Sequence, residues 1–206
     1  LYQASQGDLR RLAQADVIFY NGLNLEGRLS DVLARMGRRT PTYALTEYMS
    51  PGELLADDGF GGVYDPHVWF DVSLWVKAVE RVRDAMVQVD PARADHYIAN
   101  AARFIEHLRE LDTEVEAAIT SIPAERRILV TAHDAFGYLG RRYGIEVVAL
   151  QGISTESEFG LADVRSLVDL LVERRIGAVF VESSVSPRGI QAVIEGARSR
   201  GHAVEV

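Results

Sequence analysis

The feature that most limits the folds open to this chain is a helical stretch from Pro91 to Ile119 with no internal glycine and no second proline. Pro91 falls in the first turn, where its missing N–H costs nothing. Tyr97, Phe104, Leu108, Leu111 and Val115 recur at helical spacing behind it. Some 28 residues at the α-helical rise make a rod roughly 40 Å long, well above the usual helix. A rod of that length between two differently patterned halves reads as a rigid connector.

Both halves alternate short apolar runs with amphipathic segments. In the first, residues 8–13 read as a helix, 17–20 as a buried strand ended by Asn21-Gly22, 25–36 as a helix capped by Gly37, and 42–45 as a second strand. Residues 50–65, rich in Gly, Asp and Pro, read as a loop that ends at Asp65-Pro66-His67. From the N-cap Asp71, the apolar positions Leu74, Val76, Val79, Val82, Met86 and Val87 predict a helix that stops before Pro91. The second half reads strand 128–132, helix 134–142, strand 146–150, helix 160–175, strand 178–182, helix 187–200 and strand 203–206. Its strands are continuous apolar runs, as expected for parallel strands covered on both faces. The fold expected is α/β: two doubly wound βα lobes with mainly parallel sheets, joined by one long rigid helix. Residues 1–90 form one lobe, 91–120 the helix and 121–206 the other lobe, with both lobes cut at their outer ends.

A formal net charge of −8 argues against a nucleic-acid partner, whose phosphates demand a basic face. With no cysteine, neither a disulfide framework nor a thiolate metal site can exist, so histidine and carboxylate are the strong ligands left. The absence of cysteine also fits an oxidising compartment such as a periplasm. No apolar run approaches the roughly 20 residues that span a bilayer. Lys77 is the sole lysine, against many arginines.

Two of the five histidines stand where an apolar or turn segment gives way to a helix. His67 lies in Asp65-Pro66-His67-Val68-Trp69, where proline fixes the backbone and Asp65 is placed to accept from the ring and set its tautomer. His133 ends the run Leu129-Val130-Thr131-Ala132, a position where core packing does not ask for a polar residue. Ligands in open α/β sheets bind beyond the carboxyl ends of the strands. The two histidines therefore read as ligands of a shared metal between the lobes, against the plainer reading of turn and strand-end histidines bonded to backbone. Glu182, also at a strand end, is open to three roles: ligand, acceptor behind a ligand, or cap for the helix near Pro187. Glu156 and Glu158 face the same rim, or simply complement a helix dipole. His96 and His107 lie about 16 Å apart along one helix and cannot share a metal; His202 reads as surface.

Enzyme signatures are absent: there is no phosphate-binding loop, no dinucleotide glycine fingerprint and no nucleophile elbow. The remaining rivals are a metal-dependent hydrolase in the same cleft and a nucleotide- or sugar-binding doubly wound domain. An open coordination position and turnover would mark the first; the missing phosphate loop disfavours the second.

Five segments together resemble a known family. Tyr20-Asn21-Gly22-Leu23-Asn24-Leu25-Glu26, Asp65-Pro66-His67-Val68-Trp69-Phe70-Asp71, Val130-Thr131-Ala132-His133-Asp134-Ala135-Phe136-Gly137-Tyr138, Leu150-Gln151-Gly152-Ile153-Ser154-Thr155-Glu156 and Phe180-Val181-Glu182-Ser183-Ser184 are similar, in order, to the motifs of the zinc/manganese solute-binding proteins of metal ABC transporters, closest to the TroA-like branch. The resemblance implies a metal held by three histidines and an aspartate. His67 matches the second histidine and His133 the third; the first is expected just before Leu1, and the aspartate beyond Val206. With those four positions filled, Glu182 is left as an acceptor behind a ligand. It further implies a receptor, not an enzyme, that binds zinc or manganese, with ferrous iron also open, and hands it to an ABC permease. That receptor would be a monomer, periplasmic or membrane-anchored outside the cytoplasm, with a lipid anchor upstream.

Overall fold

The computed structural model describes residues 4–57, 63–153, 159–183 and 185–206. The chain divides into two compact units, residues 2–118 and 119–206.

In the first unit, α1 (Gln6–Ala13) begins at a reciprocal cap: the Asp8 amide donates to Ser5 Oγ at 3.2 Å and the Ser5 amide to the Asp8 carboxylate at 2.9 Å. Strand β1 (Ile18–Tyr20) pairs in parallel with β2 (Thr42–Ala44), Ile18 opposite Thr42. The helix predicted from residue 25 starts later, as a 3₁₀ turn at Gly27–Leu29 followed by α2 (Ser30–Met36). The cause is local. Gly22, Leu23 and Asn24 have φ of 90°, 53° and 65°, and Gly27 has 51°, a left-handed run from which a right-handed helix cannot grow.

The loop expected over 50–65 holds a 3₁₀ turn at Pro51–Glu53 and a short antiparallel hairpin, β3 (Ala56–Asp57) against β4 (Val63–Tyr64). Helix α3 (Val72–Val89) is capped by Asp71, which accepts from the Ser73 amide at 3.0 Å. Its buried face is Val72, Leu74, Ala78, Arg81 and Ala85. Arg81 sits there because its charge has partners: an ion pair with Glu47 at 2.7 Å and the Tyr43 ring 4.3 Å beneath the guanidinium. Helix α4 (Ala94–Thr120) is continuous over 27 residues, after a 3₁₀ turn at Pro91–Arg93. Ala101, Ile105 and Leu108 are buried on it, whereas Phe104 and Leu111, counted in the expected apolar stripe, are about half exposed.

In the second unit, β5 (Ile128–His133) and β6 (Glu146–Gln151) are parallel, Ile128 opposite Glu146 and His133 opposite Gln151. Helix α5 (Gly137–Tyr143) starts three residues later than predicted, because the chain first turns after β5, with the Ala135 amide donating to the His133 carbonyl at 3.0 Å. The strands expected at 178–182 and 203–206 shrink to single parallel bridges, Thr131 with Phe180 and Ala178 with Glu205. They still extend the parallel array: the Phe180 amide donates to the Val130 carbonyl at 2.8 Å and the Val179 amide to the Glu205 carbonyl at 2.9 Å. Helices α6 (Leu161–Glu173) and α7 (Arg188–Ser199) close one core, in which Val130, Leu171, Val179, Ile190 and Val193 are almost wholly buried. Among the described residues, no helix is long and apolar enough to cross a membrane.

Candidate metal centre

His67 follows β4 and caps the 3₁₀ turn Val68–Phe70. It is 5% exposed and Asp65 2%, so neither group is there for solubility. One Asp65 oxygen receives both the His67 backbone N–H, at 2.9 Å, and the ring Nδ1, at 2.6 Å. An N–H on Nδ1 leaves the lone pair of a neutral imidazole on Nε2, the arrangement in which a carboxylate orients a metal-ligating histidine. The Asp65 amide donates to the Leu55 carbonyl at 2.8 Å, which ties the turn back to the hairpin. Trp69 meets the ring edge-on, centroids 5.2 Å apart.

The turn is also held from the segment after β1. The buried Asn21 carboxamide donates to the Pro66 carbonyl at 3.1 Å. Asn21 is itself fixed: its amide donates to Glu26 at 2.7 Å, and its carbonyl accepts from the Thr46 hydroxyl at 2.9 Å. The second Glu26 oxygen accepts from the Gly22 amide at 3.2 Å. Two non-glycine residues in the left-handed region, Leu23 and Asn24, cost roughly 1–2 kcal/mol each, and these bonds hold them there.

His133 closes β5 with 5% of its surface exposed. Glu182 grips it twice: one oxygen accepts the His133 backbone N–H at 3.2 Å, the other lies 2.9 Å from Nδ1. Glu182 thus stands at its histidine as Asp65 stands at His67. His133 Nε2 lies 2.8 Å from the Ile153 carbonyl. Nothing in the sequence signals that contact, since a backbone carbonyl carries no residue identity.

The other candidates separate from these. His96 is exposed and bonds Asn100 on its own helix at 2.9 Å, and His107 is exposed 3.8 Å from Glu110. His202 is not simply surface: it is half-buried, with Nε2 2.7 Å from the Ile176 carbonyl. Glu156 and Glu158 lie outside the described residues. Among the described residues, no three histidine, aspartate or glutamate side chains already form a cluster that could enclose a metal. The donor chemistry nonetheless suits one: two buried imidazoles, each with Nδ1 at a carboxylate, in a chain without thiols.

His133 ends a strand of a parallel pair and His67 follows an antiparallel hairpin; each is a buried imidazole bonded to a carboxylate in an α/β chain, a donor type suited to a metal. All of residues 1–206 match the family described as ZnuA, zinc-uptake complex component A, periplasmic. The chain belongs to this family, whose members are substrate-binding proteins for transport and not enzymes; the hydrolase rival falls with that. The manganese-binding lipoprotein MntA of Bacillus subtilis (strain 168) is 48% identical over 206 residues, all of this chain and 67% of its own length. The zinc-binding protein TroA of Treponema pallidum (strain Nichols) is 37% identical over all of this chain and 66% of its own length. A solved structure of that periplasmic zinc-binding protein superposes with a TM-score of 0.95, covering 100% of this chain and 74% of the other. The iron-binding protein YfeA of Yersinia pestis is 33% identical over 93% of this chain. The chain spans about two thirds of the length of the curated relatives it matches.

Proposed function

We propose that this chain captures a divalent transition metal, zinc or manganese with ferrous iron also admitted, and delivers it to an ABC permease. His67 and His133 are two ligands of one ion, and Asp65 and Glu182 hold their rings. The lobe of residues 1–90 supplies one histidine and the lobe of residues 121–206 the other, with helix 91–120 as the stretch of chain between them. The receptor acts as a monomer in the periplasm or tethered by lipid outside the cytoplasmic membrane. Support for the tether is that relatives carry the word lipoprotein in their names.

The observation that carries the reading is the matched pair of buried imidazoles, each with Nδ1 against a carboxylate, in a chain of this family. Nε2 is then the coordinating nitrogen of each ring. The Ile153 carbonyl only accepts, so Nε2 carries a proton in that contact; a metal on His133 would replace both that proton, released to solvent, and the carbonyl. Binding, and not turnover, is the chemistry: imidazole and carboxylate donors hold zinc, manganese or iron(II) without a thiolate.

The test is elemental analysis of the intact purified protein, followed by competition between zinc and manganese, with His67→Ala and His133→Ala beside the wild type. The expected result is one class of site that both substitutions destroy, with the competition naming the preferred ion. Metal binding untouched by either substitution would overturn the reading.

A further inference from the structure

The segment Tyr20-Asn21-Gly22-Leu23-Asn24-Leu25-Glu26 supplies no metal ligand in the reading above, yet its turn is held by bonds from Glu26 and Thr46. Gly22, Leu23 and Asn24 stand consecutively at positive φ. Left to local preference, that run would relax, because a side chain at positive φ crowds the following carbonyl. Glu26 prevents it by accepting from the backbone N–H groups of both Asn21, at 2.7 Å, and Gly22, at 3.2 Å. Thr46 closes the opposite side, its hydroxyl and its amide both donating to the Asn21 carbonyl, at 2.9 and 3.2 Å. Gly22 must be glycine, since a Cβ there would lie 2.7 Å from Thr46 Oγ1 and 3.1 Å from Ala44 Cβ.

All this fixes the Asn21 carboxamide, whose Nδ2 donates within the turn to the Gly22 carbonyl at 3.1 Å and also reaches out of it. Asn21 Nδ2 donates to the carbonyl of Pro66, 45 residues along the chain and directly before His67. Strain accumulated beside a functional group and held by surrounding bonds is typical of positioning devices. We infer that Asn21, braced by Glu26 and Thr46, is a positioning residue for His67, setting through the Pro66 carbonyl where the imidazole stands when metal arrives. Asp65 fixes how the ring is turned; Asn21 fixes where the backbone that carries it lies. A ligand displaced by a fraction of an ångström still binds, but weakly and with altered geometry. This rests on the assignment of His67 as a ligand.

The experiment uses the intact protein, with zinc affinity measured by chelator competition and cobalt(II) absorption as a report on ligand geometry. Asn21→Ala and Glu26→Gln are compared with His67→Ala and with Leu33→Ala, which loosens the same unit through a buried residue of α2. Asn21→Ala and Glu26→Gln should each weaken zinc by roughly 10- to 100-fold, the loss usual for groups behind a ligand, and should shift the cobalt bands. Leu33→Ala should lower the unfolding temperature yet keep affinity and spectrum. Should Asn21→Ala fail to fold, Glu26→Gln carries the test alone. Wild-type affinity and an unchanged cobalt spectrum in the Asn21 and Glu26 variants would overturn the inference. So would a loss that Leu33→Ala reproduces at the same unfolding temperature. If His67→Ala binds zinc as wild type does, the failure lies in the ligand assignment beneath, and the two failures are thereby told apart.

Discussion

The carboxylates behind the two histidines arrive by different routes. Asp65 stands two residues before its imidazole, held there by an intervening proline; Glu182 comes from 49 residues beyond its own, across parallel backbone pairing. The first pairing was legible because it is local: a short carboxylate, a rigid residue and a ring in three consecutive positions. The second was legible in the pattern only as a polar residue at a strand end; the resemblance alone made it an acceptor behind a ligand, and its partner, His133, became visible only with the sheet order. Glu182 grips both the backbone and the ring of His133, so its loss frees the ring to turn without removing the proposed ligand. Glu182→Gln in the intact protein should therefore weaken metal binding by roughly 10- to 100-fold, while His133→Ala abolishes it. Titration of both variants side by side decides the matter; equal losses would make Glu182 a ligand.

Among the elements, most of those written as unbroken patterns were found where the sequence put them, although the apolar runs at 178–182 and 203–206 form only single bridges. The four strands of the two parallel pairs, β1–β2 and β5–β6, are mainly apolar runs, and α3, α4, α6 and α7 are periodic over three turns or more. The misses lie where a turn overrides the pattern. Leu25 continues the apolar spacing of α2, but the left-handed run at 22–24 delays the helix. Residues 134–136 look helical, but the chain must first turn away from β5. Within α3, hydrophobicity drew attention to the valines, while the buried line runs through Ala78, Arg81 and Ala85. Helix α3 also carries Lys77, which is paired with Glu53 of the 3₁₀ turn Pro51–Glu53. The hydrogen bond from Lys77, with the Ser50 groups behind it, holds the Glu53 carboxyl at about 2, below its ordinary 4.5. A lowered value means that the contribution is complete above pH 4.5 and is lost as pH falls from there towards 2. Glu53→Gln should thus flatten the acid limb of stability over that window: its deficit is largest above pH 4.5, modest because the pair is partly exposed and screened, and gone near pH 2. Urea midpoints collected at a series of acidic pH values check this; parallel acid limbs in the two proteins would show that the pair contributes nothing.

For the whole molecule, the two compact units bring one buried histidine each, at residues 67 and 133. Any ion that binds only the folded chain stabilises it by mass action, by about 2.7 kcal/mol when the free metal stands at 100 times Kd. Zinc or manganese added to metal-stripped intact protein should raise the calorimetric unfolding temperature in proportion to the logarithm of free metal, and a chelator should reverse the rise. Identical thermograms with and without metal would remove the capture function. The preferred ion is not legible in this chain, because imidazole and carboxylate donors accept zinc, manganese and iron(II) alike, and the relatives' names divide the same way.

The edge-on contact of Trp69 with His67 has an optical consequence. An indole so close to an imidazole lies within reach of electronic quenching by whatever that imidazole holds. Manganese(II), with unpaired electrons, and zinc(II), with a filled shell, would then leave different emission intensities at Trp69. With His67 as a ligand, as proposed, the emission of Trp69, separated from that of Trp75 by a Trp75→Phe background, would tell one ion from the other with no dye attached.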